Sequence, residues 1–136
     1  MAAMLAVNHR YLLEAGVDPK VIVGLIGLSG PYDLHPNNPT LRAIFAAPYT
    51  PKDWEVTGQV SPGVPPALLI HGSADDFVWP AYTEDLARAM SAAGSPVTLR
   101  MYPGRKHAAT VAALTPVLPN RAPTLADINA FMRSLP

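Results

Sequence analysis

The sequence predicts an α/β fold in which a parallel sheet is flanked by helices. Two unbroken apolar runs, at 21–28 and 67–70, are typical of strands that are covered on both faces. A third run, at 97–102, alternates apolar and polar residues, which predicts a strand nearer the sheet edge or covered on one face only. Because helical segments alternate with these strands, βαβ units with right-handed crossovers are expected.

The first half of the chain contains a predicted helix, a strand and a long irregular segment. Residues 1–15 are rich in strong helix formers and are followed by glycine, which predicts one helix. No capping residue precedes it, so it resembles the continuation of a longer polypeptide, although a frayed natural terminus would look the same. After the strand at 21–28, five prolines punctuate residues 32–64, which we interpret as a lid-like excursion with one short helix near 41–47.

The second half of the chain contains more regular elements. Pro65 and Pro66 donate no backbone N–H, so they suit the entry to the strand at 67–70. Residues 82–93 place apolar side chains on one stripe and charged ones opposite, which predicts an amphipathic helix. The last predicted helix begins at Thr124. The 136 residues are therefore interpreted as a single α/β domain.

Composition excludes several classes of function. The net charge is zero and basic residues are not clustered, so the footprint of a nucleic-acid binder is missing. The absence of cysteine excludes disulfides, thiolate metal sites and a cysteine nucleophile. No apolar run reaches membrane-spanning length and the first residues lack the basic region of a signal peptide, so no membrane association is expected. The compartment stays open, with the cytoplasm favoured.

No cofactor or metal is expected. The four histidines are spread too widely to form a ligand cluster with zinc-like spacing, and His9 and His35 are interpreted as ordinary surface or loop residues. No Gly-x-Gly-x-x-Gly or Walker-type loop occurs, which argues against a nucleotide-binding domain.

Asp75 and His107 are the candidate site residues. Each lies in a loop directly after a predicted strand, so both should emerge at the same edge of a parallel sheet. A carboxylate that accepts from one imidazole nitrogen fixes the tautomer and leaves the other nitrogen free to take a proton from a nucleophile. The alternative is that Asp75 only stabilises a turn and His107 is a solvated loop residue.

Three segments resemble α/β-hydrolases of the bacterial carboxylesterase and lipase type. Pro-Ala-Leu-Leu-Ile-His-Gly-Ser-Ala-Asp-Asp-Phe-Val at 66–78 is similar to their strand and acid turn, and Tyr-Pro-Gly-Arg-Lys-His-Ala at 102–108 to their histidine turn. Gly-Leu-Ile-Gly-Leu-Ser-Gly-Pro-Tyr-Asp-Leu at 24–34 looks like the strand that follows the nucleophile helix. The resemblance implies the C-terminal part of an α/β-hydrolase fold. In it, Asp75 is the triad acid and His107 the triad base, with Asp76 as the second choice of acid.

The chain departs from this family at the nucleophile. The family's serine lies in Gly-x-Ser-x-Gly, and that motif does not occur here. The nearest sequence is Gly27-Leu28-Ser29-Gly30-Pro31, in which Ser29 is interpreted as a turn residue. The oxyanion motif His-Gly-Gly-Gly is missing too. The resemblance places the first residue just beyond the nucleophile turn, so the serine is expected upstream and this chain alone is expected to be inactive.

Two hypotheses follow about function and partners. The chain is either part of a serine carboxylester hydrolase or a degenerate, non-catalytic module that oligomerises. In the first case the substrate is a small carboxylic ester, with aryl formamides, lactones and peptides still open; Trp54 and Trp79 are candidates for lining its pocket, although packing is the expected role of each. In both cases the strand at 21–28 would leave an exposed edge, which predicts a homo-oligomer.

Overall fold

The structure is a computed structural model, and it describes residues 1–115 and 122–136. Three parallel strands form one sheet in the order β1-β2-β3, which confirms the predicted α/β fold. The strands are β1 (Leu25–Leu28), β2 (Ala67–Gly72) and β3 (Val97–Tyr102). The helices are α1 (Ala2–Val7), α2 (Arg10–Glu14), α3 (Pro39–Ile44), α4 (Pro51–Trp54), α5 (Pro80–Ala92), α6 (Ala109–Ala112) and α7 (Thr124–Ser134).

Strand β2 is the centre of the molecule, and every one of its residues is buried. Its side chains alternate between two faces. Ala67 and Leu69 pack with α1 and α5, whereas Leu68 and Ile70 pack with α6 and α7. This two-sided burial explains why the sequence of β2 is continuously apolar rather than alternating. Because both neighbouring strands run parallel to β2, the loops that follow β2 and β3 leave the sheet at the same edge.

Strand β1 is shorter than the run at 21–28 predicts. Residues Pro19–Val21 form a short 3-10 helix, held by the Asp18 side chain, which accepts a hydrogen bond from the Lys20 N–H at 2.9 Å. The ladder begins only where Leu25 N–H donates to the Pro66 carbonyl at 2.9 Å. Because Pro65 and Pro66 have no N–H, the partner strand cannot extend the ladder upstream, and the edge strand is 25–28 rather than 21–28.

The predicted single helix over 1–15 is wrong, because it divides into α1 and α2 around Asn8. The Val7 carbonyl, which would continue the helix, instead accepts from the Ser61 N–H at 3.0 Å. Asn8 has an extended backbone, and its side-chain amide donates to Gln59 Oε1 at 2.7 Å. Tertiary hydrogen bonds therefore override the helix propensity of this segment.

The lid-like excursion over 32–64 contains two helices rather than one. Helix α3 begins at Pro39 because the Asn38 side chain accepts from the Leu41 N–H at 2.9 Å, so the predicted helix near 41–47 is displaced towards the N-terminus. Helix α4 is a single turn whose start is a capping box formed by Thr50 and Asp53.

One edge of the described sheet is formed by β1, which pairs with β2 on its other side. Beside this edge Val21 and Val23 are 63% and 53% exposed. In the part of the chain that the structure describes, none of the helices has the length and hydropathy needed to cross a membrane.

Candidate active site

Two turns meet at the carboxyl end of the sheet, one after β2 and one after β3. Backbone hydrogen bonds join them: Ser73 N–H donates to the Tyr102 carbonyl at 2.9 Å, and Ala74 N–H to the Arg105 carbonyl at 3.0 Å. Gly72 permits this close approach, since a Cβ there would lie 2.2 Å from the Arg105 carbonyl oxygen. The relative position of the two turns is therefore fixed by backbone contacts rather than by side chains alone.

Asp75 and His107 lie on these two turns, and the structure brings them together as the sequence predicts. Asp75 Oδ2 and His107 Nδ1 are 2.8 Å apart. The Asp75 side chain is fully buried, whereas 37% of the His107 side chain is exposed. Because an ionised carboxylate can only accept, Nδ1 is the donor and the neutral imidazole carries its lone pair on Nε2.

The Asp75 carboxylate is held in its ionised form by hydrogen bonds. Burial is the largest single influence on its pKa and raises it, but the Val78 N–H, the His107 imidazole and the Phe77 N–H together lower the pKa below its ordinary value. The two backbone donors both reach Oδ1, at 2.9 Å from Val78 and 3.0 Å from Phe77. The turn thus supplies the charge-stabilising contacts that a buried acid needs.

Asp76, the second choice of acid, has a different partner. Its carboxylate forms an ion pair with Lys106 Nζ at 2.8 Å, and both side chains are largely exposed. The Lys106 hydrogen bond lowers the pKa of Asp76, and the same bond raises the pKa of Lys106. Of the two neighbouring acids, Asp75 is the one that contacts His107.

His71 is the site residue that sequence reasoning missed. It lies in β2 with no exposed surface, and its Nε2 is 2.9 Å from Asp75 Oδ2. The predicted strand ended at Ile70, whereas β2 continues through Gly72 and buries the imidazole. The available signal was the spacing: a polar residue at the end of an apolar run, four positions before an acid in the following turn.

Ser29 is confined at the end of β1. Its φ of +48° lies in the left-handed region, and only 3% of the surface of Ser29 is exposed. Its Oγ lies 3.0 Å from the Thr110 hydroxyl in α6. The interpretation of Ser29 as a turn residue therefore gains a reason, since the hydroxyl bridges β1 to the helix after the histidine turn. A buried, hydrogen-bonded hydroxyl is poorly placed to attack a substrate.

An open cleft of about 730 Å³ lies between the excursion and the Asp75 turn, and Phe77, Trp79, Tyr82 and Leu41 are among its lining residues. The Phe77 ring is 5.1 Å from the His107 ring, so the cleft adjoins the imidazole. Trp79 is 60% exposed and stacks on Tyr82 at 6.1 Å. Trp54 lies elsewhere, donating to a carbonyl of the excursion at 3.0 Å and packing against another aromatic ring.

The described residues, 1–115 and 122–136, contain no group of three or more histidine or acidic side chains arranged to hold a metal ion.

Comparisons with known proteins point to one family and one fold. The model of the prolyl oligopeptidase family matches residues 34–118, which is more than half of the chain. No functionally curated protein matches. Among solved structures, a carboxylesterase from Lactobacillus plantarum superposes with a TM-score of 0.64 at 15% identity, covering 96% of this chain and 50% of the other.

Two further structures are similar. A truncated carbohydrate esterase from gut microbiota gives a TM-score of 0.62 at 21% identity and covers 82% of this chain and 42% of its own. An acetyl ester-xyloside bifunctional hydrolase from Caldicellulosiruptor lactoaceticus gives a TM-score of 0.60 at 20% identity. The superposition covers 77% of this chain and 40% of the other. At these identities the likeness establishes the α/β-hydrolase fold. The chain spans half or less of the length of these structures.

Proposed function

The chain belongs to the prolyl oligopeptidase family, and from its site we propose that it supplies the acid and the general base of a serine hydrolase of the carboxylesterase type. Asp75 is the acid and His107 is the base. One observation carries this proposal: a buried carboxylate oxygen lies 2.8 Å from Nδ1 of an imidazole that is itself 37% exposed. An acid behind a partly exposed base is the arrangement that acyl transfer by a serine requires.

The proposed chemistry uses the two imidazole nitrogens differently. Nδ1–H of His107 donates to Asp75, which leaves the Nε2 lone pair available. Nε2 takes the proton of a serine hydroxyl as its oxygen attacks the ester carbonyl carbon, and then gives that proton to the departing alcohol. Asp75 stays ionised throughout and stabilises the imidazolium, which agrees with its lowered pKa.

The nucleophile in this proposal is a serine outside these 136 residues. The sequence contains no Gly-x-Ser-x-Gly, and the buried Ser29 hydroxyl is already bonded to Thr110. Loss of the serine costs about a million-fold in kcat in a serine protease. The 136-residue chain is therefore expected to hydrolyse esters at the background rate, and to become active when joined to the serine-bearing segment.

We place the substrate beside His107, in the cleft lined by Phe77, Trp79 and Tyr82. The largely apolar and aromatic lining suits a small ester with an uncharged acyl or alcohol group. Support for an ester comes from the names of the similar structures, which are esterases and an acetyl ester hydrolase. The family description names an oligopeptidase, so a peptide bond is the competing substrate, with aryl formamides and lactones also to be assayed.

The test compares the 136-residue chain with a version extended upstream to include a Gly-x-Ser-x-Gly serine. Both are assayed with short-chain aryl esters and with a proline-containing peptide amide. The proposal predicts ester hydrolysis by the extended version only, lost on His107→Ala and strongly reduced on Asp75→Asn. Turnover by the 136-residue chain that disappears on Ser29→Ala would refute it.

A second candidate function is a non-catalytic α/β-hydrolase module that assembles through β1. The observation that favours it is the edge position of Leu25–Leu28, next to the exposed Val21 and Val23. Unpaired strand edges bind other strands, and we propose a second copy of this chain as the occupant. Light scattering should then give a dimer that Ile26→Pro converts to monomer, since proline blocks strand pairing at an edge. A wild-type monomer would contradict this candidate.

A further inference from the structure

We propose that His71 is a positioning residue that shares the Asp75 carboxylate with His107 and so fixes the oxygen against which the base is held. The inference rests on the proposed function, because positioning matters only if His107 is the base. Asp75 Oδ2 has two imidazole neighbours, His107 Nδ1 at 2.8 Å and His71 Nε2 at 2.9 Å.

The tautomer of His71 follows from its surroundings. Nε2 faces two groups that can only accept, Asp75 Oδ2 and the Val78 carbonyl, the latter at 3.0 Å. Nε2 must therefore carry a proton and donate to them. Nδ1 faces the Thr83 hydroxyl at 2.6 Å, and that hydroxyl can donate to it. Both His71 and Thr83 are fully buried, so these contacts are shielded from bulk solvent.

The Asp75 carboxylate therefore accepts as many hydrogen bonds as its two oxygens can hold. Oδ1 accepts from the Phe77 and Val78 N–H groups, and Oδ2 accepts from the two imidazoles. A carboxylate offers about four lone-pair positions, and all four are occupied here. Rotation of the carboxyl group would therefore break these hydrogen bonds without forming new ones. His71 also joins strand β2 to helix α5 through Thr83, which ties the orientation of the acid to the packed core rather than to the turn alone.

A specific consequence distinguishes positioning from packing. His71→Phe removes the donor on Oδ2, whereas His71→Gln retains an amide donor near the position of Nε2. With one donor fewer, the carboxylate charge is less stabilised and Oδ2 accepts more strongly from His107. We expect the Asp75 titration midpoint to rise by about one pH unit in His71→Phe and the Nδ1–H proton resonance of His107 to move downfield. His71→Gln should restore both readouts towards wild type.

The experiment is NMR of the labelled 136-residue chain, following Asp75 Cγ and the His107 Nδ1–H resonance. Leu69→Ala, which empties a buried site in the same strand, is the control for lost packing and should leave both readouts unchanged. A folded His71→Phe with wild-type values for both would overturn the proposal. If that variant does not fold, the wild-type spectrum decides: Nε2 of His71 protonated supports the proposal, and a proton on Nδ1 alone overturns it.

These readouts involve no turnover. If His107 proves not to be a catalytic base, the extended enzyme fails the ester assay while the NMR results stand. If His71 does not position Asp75, the NMR test fails while the esterase activity of the extended enzyme remains.

Discussion

Substitution of Gly72 by alanine is the sharpest test of how the two site turns are held together. A Cβ at this position would lie 2.2 Å from the Arg105 carbonyl oxygen and 2.7 Å from the carbonyl carbon, both backbone atoms that no side-chain rotation can move. Real Cβ contacts essentially never fall below 3.0 Å, so the turn after β2 and the turn after β3 must separate. A separation of roughly 1 Å would take the 2.8 Å bond between Asp75 and His107 beyond hydrogen-bonding distance.

The expected loss of stability in Gly72→Ala follows from similar cases of overpacking. Forcing a methyl group into a packed site costs about 1–3 kcal/mol, which for a chain of this size lowers Tm by roughly 3–15 °C. Gly58→Ala is the matched control, because a Cβ at Gly58 would meet no atom within 4 Å. The assays are thermal unfolding and the His107 Nδ1–H proton resonance, which requires the bond to Asp75. The reasoning fails if Gly72→Ala is as stable as Gly58→Ala and retains that resonance.

Three further predictions test separate parts of the account. Asp75→Asn should abolish the low-field Nδ1–H resonance of His107 in proton NMR, whereas Asp76→Asn should retain it; the reverse pattern would make Asp76 the acid. Burial raises the pKa of Tyr32 to about 12. The folded state therefore holds this proton more tightly than the unfolded state, so stability present below about pH 10 should fall by roughly 2–3 kcal/mol towards pH 12. Urea midpoints measured across this range should fall less in Tyr32→Phe. Because Ser29 has φ +48°, Ser29→Gly should be more stable than Ser29→Ala by about 1 kcal/mol in urea unfolding, and equal stability would argue against strain there.

The sequence predicted those parts of the fold and site that follow from the local residue pattern and the parallel order of the strands. The apolar residues of β2 and the alternating residues of β3 predicted two neighbouring parallel strands, and Asp75 and His107 follow those strands directly. Parallel strands present their carboxyl ends at one edge, so the meeting of these two side chains could be predicted without any knowledge of packing.

Features that depend on tertiary hydrogen bonds could not be predicted in the same way. The break between α1 and α2 arises because Ser61, more than fifty residues away, donates to the Val7 carbonyl. The contacts of His71 depend on Thr83 in helix α5, so the local sequence shows only a histidine at the end of an apolar run. The start of β1 depends on the two prolines that precede its partner strand rather than on its own residues.

The central claim is that Asp75 prepares His107 to accept a proton at Nε2. The most direct measurement is the nitrogen NMR spectrum of the His107 ring in the 136-residue chain, at a pH where the imidazole is neutral. The account predicts a proton on Nδ1, bonded to Asp75 Oδ2, and a bare Nε2. A proton on Nε2 with a bare Nδ1 would contradict it, because that imidazole could neither donate to the buried acid nor accept from a nucleophile.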